Sequence, residues 1–198
     1  RSMAAERAEP LLRREVCEDF DYHAVRALRR KIMEEYIDEN GVEPKPGLLP
    51  MIRDLQRMHV RIALATATPE ARARKYLRMV GVEDAFDAVA CAEMVAHGKP
   101  APDVYLLAAQ KLNLPPEELL GVEDSPSGVK SAHAAGMTVA MIPDQDRPTA
   151  QIAALCALVA PTLESIAPFV ENSFSHAFGV PAPSKREVSA KLTEGEKS

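Results

Sequence analysis

The sequence predicts an α/β protein built on a parallel sheet, and three observations carry that expectation. Short apolar runs of strand length alternate with amphipathic stretches of about 10–15 residues, the pattern of successive βαβ units. Glycine or proline punctuates nearly every junction. Groups suited to chemistry follow directly after the strand candidates, where open parallel sheets hold their ligands.

The elements run in this order. Residues 4–37 read as helical, with Val25, Leu28, Ile32, Met33 and Tyr36 on one face. Asp19 and Asp21 are N-cap candidates at its start. Arg26, Arg29, Arg30 and Lys31 fall mostly on the other face and read as a solvated basic surface. Asn40–Gly47, with two prolines and two glycines, is a hinge or linker. A helix through Leu48, Ile52, Leu55 and Met58 leads to a buried strand at Val60–Ala65. A helix from Pro69 to Val80 stops at Gly81. The apolar stretch Phe86–Cys91 precedes a helix at Pro102–Leu112. Leu119–Val122 and Thr138–Ile142 are strands flanking a small helix from Ser127 to Gly136. Residues 149–157 read as helical, Leu158–Ala160 as an edge strand and Leu163–Phe169 as a last helix. The resulting division is 1–43, 44–170 and a polar, flexible tail at 171–198.

A length of 198 residues suits one domain with a small accessory piece. The net charge of −5 argues against general nucleic-acid binding, which needs an excess of Lys and Arg. Three cysteines at irregular spacing make neither a disulfide framework nor a zinc site and fit a reducing, cytoplasmic setting. No apolar run reaches the roughly 18–20 residues of a membrane span, and no signal-peptide pattern opens the chain. A monomer without nucleic-acid or membrane partners is expected.

Three sites follow strands. Thr66-Ala67-Thr68-Pro69 places a hydroxyl at a strand end, Thr68 as a cap, and free backbone N–H groups at a helix start, an arrangement that suits an anion. Gly98-Lys99-Pro100-Ala101-Pro102-Asp103 fixes a lysine in a stiff loop, where it can act as a point charge toward phosphate. Glu123-Asp124-Ser125-Pro126-Ser127-Gly128 sets two carboxylates at a buried strand end, which is costly without a cation. Oxygen donors of this kind suit Mg2+. His59, His97 and His133 lack ligand spacing and read as ordinary residues, and the cysteines as core fillers.

Hydroxyl, lysine and acidic pair, in this order, resemble the haloacid dehalogenase superfamily, in particular its β-phosphoglucomutase-like branch, over residues 15 to 145. Leu64–Thr68 looks like that family's second motif, Gly98–Asp103 like its third and Gly121–Val129 like its fourth. The resemblance implies a Rossmann-like parallel sheet with a small helical cap, residues 1–43 being part of that cap. It implies that Thr66 and Ala67 bind the transferring phosphoryl group, that Lys99 balances its charge, and that Glu123 and Asp124 hold Mg2+. The activity implied is a phosphatase acting on a small phosphorylated metabolite such as a sugar phosphate. The alternatives are a phosphomutase and a non-catalytic relative.

The sequence departs from the family's pattern at one point. The family's chemistry begins at an Asp-x-Asp-x-Thr/Val motif after a hydrophobic strand. Asp19-Phe20-Asp21-Tyr22-His23 imitates the spacing, but His23 stands where Thr or Val belongs and the preceding Leu11–Cys17 is too charged for a central strand. The resemblance, together with ordinary βα spacing, implies that the nucleophile and the first core strand lie upstream, within about 40–50 further residues.

Overall fold

A computed structural model of the chain describes residues 5–17, 19–144 and 147–174. It divides into two compact units, Arg1–Pro44 with Ala71–Glu83, and Lys45–Glu70 with Asp84–Ser198.

The first unit is helical. The segment expected as one helix is two, α1 (Ala5–Glu15) and α2 (Tyr22–Asn40). Asp21 causes the restart, because its carboxylate accepts the Ala24 N–H at 2.9 Å and caps α2. The imitation of a nucleophile motif at Asp19–Asp21 is therefore a helix start. Most of α4 (Glu70–Val80) completes the unit. Arg72 reaches Glu34 at 2.5 Å, and Lys75 pairs with Asp38. The helix then closes at Gly81, whose φ of 75° few other residues adopt.

The second unit holds the strands, all parallel. β1 (Ala63–Thr66) pairs with β2 (Ala88–Cys91), aligning Thr66 with Cys91. β3 (Leu120–Glu123), β4 (Thr138–Met141) and β5 (Leu158–Val159) form a second sheet, with Glu123 beside Met141. The α/β class and the parallel pairing are as the sequence predicts, but the strands form two sheets, β1-β2 and β3-β4-β5. Among the described residues no strand bridges β1 to β3. β1 also begins later than expected. Ile62 exchanges hydrogen bonds with Asp87, its N–H donating to the Asp87 carboxylate at 2.7 Å and its carbonyl accepting the Asp87 N–H at 2.8 Å. A side chain thus replaces one rung of the ladder.

Helices pack these strands. α5 (Asp103–Leu112) lies against β1 and β2, and α6 (Pro126–Ala134) against β3 and β4. Val104, Ala108, Val129, Ala132, Val139 and Met141 make one core, each nearly inaccessible. On the other face α3 (Leu48–Arg57) and α8 (Ile166–Phe174) cover Ala140 and Ile142 through Leu55, Ile166 and Val170. Burial of such side chains is worth about 1.5–3 kcal/mol each. α7 is only Ala150–Ala153, capped by Thr149, and falls short of the expected 149–157. α8 runs through Phe174, so Glu171–Phe174 belong to a helix, and the remainder of the expected tail lies outside the described residues.

Candidate active site

The carboxyl ends of β1 and β3 gather the groups singled out from the sequence, all within the second unit. Thr66 ends β1, and its Oγ1 accepts the Thr68 N–H at 3.0 Å. Ala67 is exposed in the turn that follows. Thr68 was expected to cap the next helix. Instead the Glu93 carboxylate accepts the Glu70 N–H at 2.9 Å and serves the start of α4. Glu93 lies 23 residues away, beyond the reach of a local capping pattern.

The loop before α5 is held at three points. His97 donates its backbone N–H to Asp103 at 3.1 Å, and its ring Nδ1 lies 3.0 Å from the same carboxylate oxygen. That hydrogen bond leads in holding the Asp103 carboxyl below its ordinary range. Ala101 donates to the Gly98 carbonyl at 3.1 Å. The buried Ser131 hydroxyl donates to the Ala101 carbonyl at 2.5 Å, tying the loop to α6. His97, read as ordinary from sequence, is thus part of the clamp.

The clamp aims Lys99 inward. Its Nζ donates to the Ala65 carbonyl at 3.1 Å and pairs with Glu123 Oε1. It also sits 4.8 Å from the centre of the Tyr105 ring, in cation–π range. The Lys99 side chain is 18% exposed and that of Glu123 only 6%. This buried charge pair is satisfied on both sides, as such pairs must be to persist.

Glu123 is committed at both oxygens. Oε1 accepts from Lys99 and from the Tyr105 hydroxyl. Oε2 receives the Asp124 N–H at 3.3 Å and the Ser125 hydroxyl at 3.4 Å. Burial, and then the Glu123 carboxylate, push the Tyr105 phenol far above its usual range. Ser125 caps α6 by accepting the Gly128 N–H at 3.2 Å, with Pro126 in the first turn, one residue ahead of the expected start. Gly128 is obligatory here, since a Cβ on it would lie 1.9 Å from Glu123 Cδ. Tyr105, Ser125 and Gly128 had no assigned role in the sequence reading. The signal for Tyr105 was its place in the first turn of the helix that follows Lys99.

Asp124 next to this pair is exposed. Among the described residues no group of three or more His, Cys, Asp or Glu is placed to hold a metal. The donor set still fits Mg2+, which uses one or two carboxylates and keeps several waters. Asp124 offers an exposed carboxylate, whereas Glu123 is buried with Lys99 and Tyr105 on Oε1 and the longer bonds from Asp124 N–H and Ser125 on Oε2. The arrangement presents a fixed cation, a hydroxyl and an exposed carboxylate at two neighbouring strand ends.

The haloacid dehalogenase-like hydrolase family model matches residues 4–136. A phosphorylated carbohydrates phosphatase of Thermotoga maritima is 35% identical over 109 residues, covering 55% of this chain and 48% of the relative. The fructose-1-phosphate phosphatase YqaB of Escherichia coli is 35% identical over 121 residues, covering 60% of this chain and 62% of the relative. A crystal structure of a putative β-phosphoglucomutase from Thermotoga maritima superposes with a TM-score of 0.67 at 25% identity, covering 86% of this chain and 79% of that one. The chain spans about half the length of the first of these curated relatives. Motifs, strand-end geometry and these similarities agree: the chain belongs to the haloacid dehalogenase-like hydrolase family.

Proposed function

We propose that this chain forms part of a Mg2+-dependent phosphatase for a small phosphorylated metabolite, with a sugar phosphate as the substrate class. The observation that carries the reading is Lys99. Its ammonium is fixed at the carboxyl ends of β1 and β3, on the carbonyl of Ala65, the residue before Thr66, and on Glu123. Phosphoryl transfer asks chiefly for positioning and charge stabilisation. Two relatives named for phosphorylated carbohydrate and for fructose 1-phosphate support the substrate class.

In this reading Thr66 donates its hydroxyl hydrogen to a phosphoryl oxygen, and the backbone N–H of Ala67 adds a second donor. Lys99 offsets the developing negative charge while the Ala65 carbonyl and the Tyr105 ring keep its ammonium at the strand ends. Asp124 holds Mg2+, with Glu123 as a second ligand when Lys99 turns to the phosphate. The bound metal supplies charge neutralisation of the phosphate. The nucleophile is an aspartate from a segment outside residues 1–198. Its carboxylate oxygen bonds to phosphorus as the sugar oxygen–phosphorus bond breaks and that oxygen takes up a proton, and water then hydrolyses the acyl phosphate to phosphate and free aspartate. The setting is cytoplasmic.

The test is phosphate release by the full-length gene product from a panel of sugar phosphates, with and without Mg2+. Release is expected to depend on Mg2+ and to fall by about 10²–10³-fold in Lys99→Ala. No release from any member of the panel refutes the reading. The structural neighbour named as a putative β-phosphoglucomutase favours one second reading. Isomerisation that needs a bisphosphate primer, with little phosphate release, identifies a mutase.

A further inference from the structure

Lys99 is steered from two ends. Its ammonium lies on the Ala65 carbonyl, Glu123 and the Tyr105 ring, at the tip of a flexible four-carbon stem. Those contacts leave open where its Cα stands. That is set by the loop, which has few means of holding itself. Pro100 and Pro102 bring no N–H. Gly98 offers no packing, since a Cβ there would meet no atom within 4 Å.

The side chain that closes the loop is His97. Residues 97 and 103 lie on either side of Lys99, and one oxygen draws them together. Asp103 Oδ2 accepts the His97 backbone N–H at 3.1 Å and lies 3.0 Å from the ring Nδ1. Asp103 opens α5, which packs against β1 and β2, so that end of the strap is anchored. The Asp103 carboxyl is held below its ordinary range by the His97 hydrogen bond, so at neutral pH it is ionised and only accepts. Nδ1 therefore carries the hydrogen, in neutral imidazole and imidazolium alike. The His97 side chain is 75% exposed, so its replacement leaves no cavity in the core.

We propose that His97 is a positioning residue of the phosphatase, resting on the reading of Lys99 as the cation toward phosphate. The Nδ1–H, through Asp103, fixes the backbone of residues 97–103 and so the point from which Lys99 reaches the substrate. The ring itself touches no reacting group. The role belongs to one ring nitrogen. Asparagine carries an N–H donor bonded directly to Cγ, as Nδ1 is. Glutamine carries its donor one bond further out, and alanine carries none.

Full-length gene product with His97→Ala, His97→Gln or His97→Asn tests this by two readouts. The first is phosphate release from the sugar-phosphate panel in the presence of Mg2+. In His97→Ala and His97→Gln kcat/KM is expected to fall at least about tenfold, as a displaced catalytic group does without any loss of substrate contact. In His97→Asn it is expected to return to within about threefold of wild type. The second readout needs no turnover: competitive acetylation of lysines with acetic anhydride, followed by mass spectrometry. Relative to the exposed Lys31, Lys99 is expected to acetylate about fivefold faster in His97→Ala, the factor one hydrogen bond is worth. In His97→Asn it keeps the wild-type rate. Wild-type activity in His97→Ala overturns the proposal. So do equal losses in the Ala and Asn variants, rescue by Gln as full as by Asn, or an unchanged Lys99 acetylation rate in His97→Ala. If the wild-type protein releases no phosphate, the phosphatase reading falls by itself, and the acetylation rates then uphold or overturn the placement of Lys99 by His97.

Discussion

Gly128→Ala offers the sharpest check on the site. The added methyl lies 1.9 Å from Glu123 Cδ and Oε2 and 2.3 Å from Oε1. No contact of that length survives, so the carboxylate must move. It cannot move freely, because Oε1 holds Lys99 and the buried Tyr105 hydroxyl while Oε2 takes the Asp124 N–H and the Ser125 hydroxyl. Breaking a buried pair of this kind costs about 3–5 kcal/mol. Alanine returns about 1 kcal/mol of helix propensity inside α6. The net expectation is a loss of roughly 2–4 kcal/mol, or roughly 4–16 °C in Tm for a chain of this size. Calorimetry and urea denaturation measure it. The cause is isolated by a second background. In Glu123→Ala the carboxylate is gone, so adding Gly128→Ala there is expected to be neutral or stabilising by up to about 1 kcal/mol. Wild-type stability in Gly128→Ala, or an equal loss in both backgrounds, refutes the placement of Glu123.

Three further outcomes follow from the same geometry. Lys99→Met strands the Glu123 carboxylate and is expected to cost about 3–5 kcal/mol, most of it recovered by adding Glu123→Gln, with denaturant unfolding as the measure. The depressed Asp103 carboxyl contributes stability above the ordinary carboxylate range that is lost as pH falls through its folded value. His97→Ala moves that carboxyl's NMR titration midpoint upward without fully normalising it, because the backbone N–H of residue 97 still donates. Phenolate absorbance from Tyr105 is expected only when alkali unfolds the protein, and Tyr105→Phe removes that part of the unfolding signal.

What could be read from the sequence was what lay close together along it. Lys99 and the Glu123–Asp124 pair sit in compact loops just after strands, so residue type and position sufficed to bring them to one place. Tyr105 and Glu93 were missed because their partners come from other elements: the phenol meets Glu123 across 18 residues and Glu93 meets Glu70 across 23. The start of β1 was misplaced because the Asp87 side chain, which looks like any loop acid, takes the rung at Ile62. Periodicity found the stripe on α2 correctly, but periodicity does not say what covers a stripe, and the structure leaves it open. The two-sheet division stands beside the expectation that one core strand lies outside residues 1–198. Strand propensity reports that a segment is extended and says nothing about which edge finds a partner.

That division bears on the chemistry. Parallel strands are normally held in place by their ladders, yet among the described residues β1 and β3 share none. Lys99 spans their carboxyl ends, donating to the Ala65 carbonyl of β1 and pairing with Glu123 of β3. In the proposed function this is the cation that meets the phosphate. A phosphate there would share Lys99 with Glu123, the ammonium having one donor beyond those given to Ala65 and Glu123. In that function phosphate and metal binding would both act on Glu123, whose Oε1 also accepts the Tyr105 hydroxyl.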